Sequence, residues 1–201
     1  MLLTYSSSGW GRTCATKAQR GLTGPNSQLV QDIDELISPR LDLAEAQNVP
    51  LYLMGHSNGG NIALWYAIYG AHCGRLAGVV LQSPLLSLHP HARPWGATVA
   101  VGKLAAKLFP NQQLVNKLDP KTMSRDKEVC RDFEEDELCH DTGTLLGISE
   151  MLGRGKTLQK AESYGKYNEE LPLCIAHGTG DMVCLSPFLL SLVPRCIWER
   201  H

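Results

Sequence analysis

Leu51-Tyr52-Leu53-Met54-Gly55-His56-Ser57-Asn58-Gly59-Gly60-Asn61 is the stretch on which the fold turns. An apolar run, Val49 to Met54, leads into it, and an apolar segment, Asn61 to Tyr69, leads out. The first is short enough for one buried strand; the second is apolar nearly all round, as a helix buried on most faces is. Gly-x-Ser-x-Gly between a strand and a helix meets the requirements of a nucleophile elbow. The serine, Ser57, sits on a sharp turn with its hydroxyl clear of the backbone. Gly55 and Gly59 are tiny because strand and helix nearly touch, and His56 and Gly60 complete the turn. The helix start then offers unpaired N–H groups to developing negative charge, the nearest being that of Asn58. With 19 Gly and 13 Ser in 201 residues, the bare pattern arises by chance about once in nine such chains, so the strand and helix around it carry the weight.

The 201 residues include 19 basic and 20 acidic side chains, for a net charge of −1. That length suits one domain able to bury a core. The interspersed charge offers no basic stripe, which sets nucleic acid aside as a partner. Seven cysteines, without Cys-x-x-Cys or ligand-like spacing, point to free thiols in a reducing, cytoplasmic compartment. No histidine spacing suits a metal, and no cofactor is implied. Met1-Leu2-Leu3 gives way at once to polar residues, too short for a leader, and no apolar run is long enough to span a bilayer.

Along the chain, residues 6–28 read as irregular loop. A helix is expected from Pro25-Asn26-Ser27, with Leu29, Ile33 and Leu36/Ile37 on one face, ending at Ser38-Pro39. Strands are expected at Leu51 to Met54, Leu76 to Leu81 and Pro172 to Gly178, with turns at Ser83-Pro84, His89-Pro90-His91, Arg93-Pro94 and Thr179-Gly180-Asp181. Strands alternating with helices imply a parallel sheet covered on both faces. Between Leu85 and Tyr167 that alternation stops. An amphipathic helix from Gly96 to Phe109, an acidic loop from Asp132 to Asp141 and a helix from Thr144 to Leu158 read as a cap. The expected organisation is a core with the elbow over 1–84, a helical cap over 85–167, and a returning strand with a tail over 168–201.

A serine hydroxyl becomes a nucleophile when a base, normally a histidine oriented by a carboxylate, takes its proton. Asp181, in the turn past a parallel strand, is the natural acid, since loops at that end of an α/β sheet converge on the site. The base is harder to place. His201 is the only histidine after Asp181, and a terminal residue is poorly held for catalysis. His177 reads as a packed residue, and His72, His89, His91 and His140 fall in loops. The Gly96–Phe109 helix has two readings. It packs on its own domain, which the sequence favours, or its apolar face meets lipid with Lys103 and Lys107 near anionic head groups.

Taken together, Gly55 to Gly60, Leu81-Gln82-Ser83-Pro84-Leu85, Gly102 to Asn111, Leu118-Asp119-Pro120, Ser124-Arg125-Asp126 and His177-Gly178-Thr179-Gly180-Asp181 resemble the fungal monoacylglycerol lipases of the α/β-hydrolase, serine aminopeptidase S33-like family. Gly9-Trp10-Gly11-Arg12 resembles the loop after that family's fourth strand. The resemblance implies an α/β-hydrolase: a parallel sheet flanked by helices with a helical cap insertion. It implies Ser57 as nucleophile, Asp181 as triad acid and the Asn58 N–H as half of an oxyanion hole. The substrate would be a monoglyceride or similar single-chain ester, and the cap would touch a membrane or lipid droplet. The chain departs from the family at Asn58, where methionine is usual. It also lacks the strands and His-Gly loop expected ahead of Gly9 and the histidine loop expected after Leu189. The expectation is therefore a chain truncated at both ends that carries the signature without the activity. A peptidase or thioesterase is the other enzyme the same scaffold would host.

Overall fold

The structure, a computed structural model, describes residues 3–90, 96–178 and 180–185. The expected turns at His91 and Arg93-Pro94, the residue Thr179 and the tail from Leu189 to His201 lie outside these residues. The chain divides into two compact units: Met1–Leu29 with Pro94–Glu150, and Val30–Arg93 with Met151–His201. In chain order the elements begin with α1 (Asn26–Ala46), β1 (Tyr52–His56), α2 (Asn58–Tyr69), β2 (Gly78–Gln82), β3 (Ser87–Leu88) and α3 (Gly96–Leu108). They continue with β4 (Gln113–Val115), α4 (Lys127–Glu135), β5 (Thr142–Thr144), α5 (Leu145–Leu158), α6 (Ala161–Tyr164), β6 (Leu173–Ala176) and β7 (Cys184–Leu185).

The second unit holds a parallel three-stranded sheet in the order β1-β2-β6. Its register pairs His56 with Gln82 and Gln82 with Ala176, so the three strands end level. Ser57, Ser83 and His177, the residues that follow, therefore leave the sheet at one edge. This is where the chemistry-bearing side chains of an α/β sheet gather. On α2, Ile62, Ala63, Leu64, Tyr66 and Ala67 are buried, which bears out a helix apolar nearly all round. The Tyr66 hydroxyl donates to Asp34 of α1, and Arg75 donates to Asp42 and Glu45 of the same helix.

Two expectations about this unit need correction. The first helix does not stop at Ser38-Pro39; Pro39 lies inside α1. The buried stripe Leu29, Ile33, Ile37 continues to Leu41 and Ala44, and burial of Leu41 offsets much of the cost, about 3 kcal/mol, of an interior proline. Nor, among the described residues, do the flanking helices cover both faces of the sheet. The alternation of β1 turns Gly55 inward and leaves Tyr52 and Met54 57 % and 59 % exposed. Cys174, level with Met54 through Val80, is exposed as well.

In the first unit, β4 and β5 form an antiparallel pair. The Gln113 side-chain amide donates to the carbonyls of Lys17, Ala18 and Arg20, fixing the long N-terminal loop. That loop also touches β5, where the Thr144 hydroxyl donates to Gly21 O at 2.9 Å. Gly21, at φ 75°, lies so close to Gly143 that a Cβ would meet its Cα at 2.6 Å. The acidic segment expected as loop begins instead within α4. Asp126 caps that helix by accepting from the Glu128 N–H at 2.8 Å, a signal that outweighs the string of acidic side chains. No helix among the described residues is long and apolar enough to cross a membrane.

Candidate active site

The elbow forms where β1 gives way to α2. Ser57 has φ 52° and ψ −119°, a strained backbone for a residue with a side chain. Three backbone hydrogen bonds hold it there. Its N–H donates to Gln82 O at 2.9 Å, and its carbonyl accepts from the N–H groups of Asn61 at 3.1 Å and Leu85 at 2.9 Å. A Cβ on Gly55 would sit 2.1 Å from Gly59 O, and one on Gly60 would sit 2.9 Å from the Pro84 Cβ. A Cβ on Gly59 would meet nothing within 4 Å. The space requirement attributed to Gly55 and Gly59 thus falls on Gly55 and Gly60, and Gly59 contributes its backbone. His56 has its backbone in register with Gln82 and its side chain exposed. Asn58 opens α2, whose first turn carries no side-chain cap from Ser57, leaving first-turn N–H groups of the kind that receive anions.

Asp181 stands in the loop after β6, its side chain 16 % exposed. Its Oδ1 accepts from the N–H groups of Val183 and Cys184, both at 2.8 Å, and its Oδ2 lies 3.6 Å from His177 Nε2. His177 Nε2 also lies 3.1 Å from the Cys184 carbonyl, while its buried Nδ1 has no hydrogen-bond partner among the described residues. The imidazole is thus tied to the loop that carries Asp181, in keeping with a packed residue.

Cys184 joins the two halves. Its N–H is bound by Asp181, and its Sγ lies 3.8 Å from Ser57 Oγ. The structure therefore brings Ser57 and Asp181 to one place, bridged by a residue the sequence reading passed over. Burial pushes the Cys184 thiol up to about 11, with the nearby Asp181 charge adding to the shift and the Ser57 hydrogen bond opposing it. At neutral pH it is a protonated, weakly nucleophilic neighbour. Among the described residues no imidazole lies within hydrogen-bond reach of Ser57 Oγ.

Sequence reasoning also missed Arg154. This side chain on α5 is buried, 4 % exposed, and its Nε donates to Asn61 Oδ1 at 2.8 Å and its Nη2 to Asn58 Oδ1 at 3.1 Å. The signal was Gly153-Arg154-Gly155, two glycines inside a helical run where they lower helix propensity. A Cβ on Gly155 would meet Leu86 O at 2.5 Å, so that glycine permits close approach of α5 to the segment after β2.

A parallel sheet whose first strand ends in a strained serine, followed by a glycine-rich helix start and a later acidic loop, defines an α/β-hydrolase. Residues 2–187 match the family described as Serine aminopeptidase, S33, and the chain belongs to that family. It is 36 % identical over 186 residues to a protein of Schizosaccharomyces pombe that carries a provisional monoglyceride lipase name, covering 91 % of this chain and 47 % of that one. It is 28 % identical over 184 residues to the monoglyceride lipase of Saccharomyces cerevisiae, covering 90 % of this chain and 58 % of that one. The chain thus spans about half the length of these relatives. A soluble variant of the S. cerevisiae monoglyceride lipase, solved with a substrate analogue, superposes with a TM-score of 0.87 at 24 % identity. That match covers 97 % of this chain and 66 % of that one, and the shared fold is the α/β-hydrolase.

Proposed function

We propose that this chain is a serine ester hydrolase of the monoacylglycerol lipase type. Ser57 is the nucleophile, Asp181 the acid of its triad, and the Asn58 N–H one donor of the oxyanion hole. The observation that carries the reading is the strained Ser57 at the end of β1, joined through Cys184 to Asp181 at the end of β6. In the reaction, Ser57 Oγ attacks the ester carbonyl, the alcohol leaves, and water hydrolyses the acyl-enzyme. The helical insertion expected over 85–167 is the part that sets acyl preference. Monoglycerides, the substrates named for the relatives, are the substrate class.

One observation favours a second reading. The Ser57 proton needs a base, and among the described residues none lies against Ser57 Oγ, since His177 is engaged with the Cys184 carbonyl. Loss of a triad member costs about 10⁴ to 10⁶ in turnover. The second reading is a catalytically silent chain that at most binds acyl chains. A fluorophosphonate probe, run beside Ser57→Ala, separates the two: Ser57-dependent labelling at serine-hydrolase rates sinks the silent reading, and its absence in folded protein sinks the active one. Turnover of monoglyceride against peptide amides separates a lipase from a peptidase.

The cap helix supports a lipid contact. Val101, Leu104 and Leu108 recur on one face of α3 and are 69 %, 63 % and 66 % exposed, with Phe109 just beyond at 64 %. Lys103 and Lys107 are exposed as well. This is the arrangement of a helix that lies in a membrane interface. Leu104→Glu with Leu108→Glu abolishes co-sedimentation with anionic vesicles if that is its role.

A further inference from the structure

The buried guanidinium of Arg154 closes a ring of hydrogen bonds around the elbow. Its Nε donates to Asn61 Oδ1 at 2.8 Å, and the Asn61 Nδ2 donates to Leu85 O at 2.7 Å. The Leu85 N–H returns to the Ser57 carbonyl at 2.9 Å, which also accepts from the Asn61 N–H at 3.1 Å. The second arm of the guanidinium, Nη2, reaches Asn58 Oδ1 at 3.1 Å. Asn61 is fully buried and Arg154 nearly so, at 4 % exposure.

Burying a guanidinium is costly, and an apolar residue of similar size would commonly be neutral or better for stability. What an apolar residue lacks is the planar fork, which fixes two acceptors relative to one another. Among the described residues, two of its acceptors are Asn58 and Asn61, both in the first turn of α2. A guanidinium only donates, so the Asn58 amide must turn its oxygen to Arg154, which sets the plane of that side chain. Resting on the assignment of Ser57 and Asn58 above, we propose that Arg154 is a positioning residue: acting through Asn58 and Asn61, it locks the first turn of α2 and so presets the Asn58 N–H as an oxyanion donor. Preset donors are what make such a site effective, because they need no reorganisation as charge develops.

The test uses the full chain, labelled with ¹⁵N. Arg154→Lys keeps the charge and loses the fork; Asn58→Ala removes one acceptor and leaves the Arg154–Asn61 bond. In both, the order parameter of the residue-58 N–H falls from about 0.85 to below about 0.7. Fluorophosphonate labelling of Ser57 in the folded fraction slows about tenfold, the worth of one charge-assisted hydrogen bond. An unchanged order parameter at residue 58 overturns the proposal, as does a lower melting temperature with neither of the other readouts altered. Should Arg154→Lys fail to fold, Asn58→Ala decides alone. Absence of labelling in the parent chain bears only on the hydrolase reading, because the order parameter is read without any chemistry.

Discussion

The two motif glycines of the elbow should respond in opposite ways to the same substitution. In Gly55→Ala the new Cβ would lie 2.1 Å from Gly59 O, 2.4 Å from Gly59 C and 2.7 Å from Gly60 N. All three are backbone atoms of the first turn of α2, so no side-chain rotation relieves the contact. To reach even a compressed separation, that turn must retreat by about 0.9 Å. The retreat pulls the Asn61 N–H off the Ser57 carbonyl, a bond already at 3.1 Å. Overpacking costs about 1–3 kcal/mol and the lost hydrogen bond about 1 kcal/mol, so we expect a loss of about 3 kcal/mol. For a chain of this size that lowers the melting temperature by roughly 6–12 °C. In Gly59→Ala the Cβ meets nothing within 4 Å. A helical Gly→Ala change then gains up to about 1 kcal/mol, or about 2–4 °C. Parallel circular-dichroism melts of the two variants and the parent measure both. A Gly55→Ala protein melting within about 2 °C of the parent, or a Gly59→Ala protein falling as far as Gly55→Ala, refutes the reasoning.

Four further outcomes are expected. Ser57→Gly should be more stable than Ser57→Ala by about 1–2 kcal/mol in urea titration, since both lose the hydroxyl but only glycine relieves the backbone at φ 52°. Tyr66→Phe should cost about 1.5–3 kcal/mol, because it leaves Asp34 without its donor from a fully buried ring; an unchanged urea midpoint would deny that bond any net worth. Iodoacetamide at pH 8 should modify exposed Cys174 and spare Cys184 in the native state. The latter's value of about 11 leaves only about one thiolate in a thousand. Burial holds His140 below its ordinary value, so the unfolded chain takes up the proton first. Its contribution is therefore complete above about pH 6.5 and lost as pH falls through the folded value. Melts from pH 7 to pH 5 should show a decline that His140→Gln reduces.

What the sequence made legible was local. The elbow, its flanking strand and the buried helix after it were readable because each is one short pattern in contiguous residues. The Gly96 and Thr144 helices were readable for the same reason. The continuation of α1 past Pro39 was hidden, because a strong local stop signal is outweighed by burial of Leu41, which only the folded chain displays. The pairs β3–β7 and β4–β5 are two and three residues long, too short for any periodicity to register. Cys184 and Arg154 were hidden by distance along the chain: one meets Ser57 across 127 positions, the other meets Asn61 across 93. Parallel register, which brings the ends of β1, β2 and β6 level, creates such meetings and leaves no local trace beyond the glycines beside Arg154.

The same distinction separates the elbow from the rest of the proposed site. Ser57 is held in its strained conformation by Gln82, Leu85 and Asn61, all within the contiguous stretch from β1 to the turn after β2. Glycines at 55 and 60 supply the room, and both also lie in that stretch. The nucleophile's geometry is therefore encoded almost as a cassette. Asp181 needs more: β6 must pair with β2 across a long intervening segment before its loop can reach Cys184 and, through it, Ser57. A base needs a further element again, brought within hydrogen-bond reach and held there. In the proposed triad the acid thus depends on a longer-range pairing than the nucleophile does. Local sequence thus builds the elbow, and the β2–β6 pairing builds the link from Asp181 through Cys184 to Ser57.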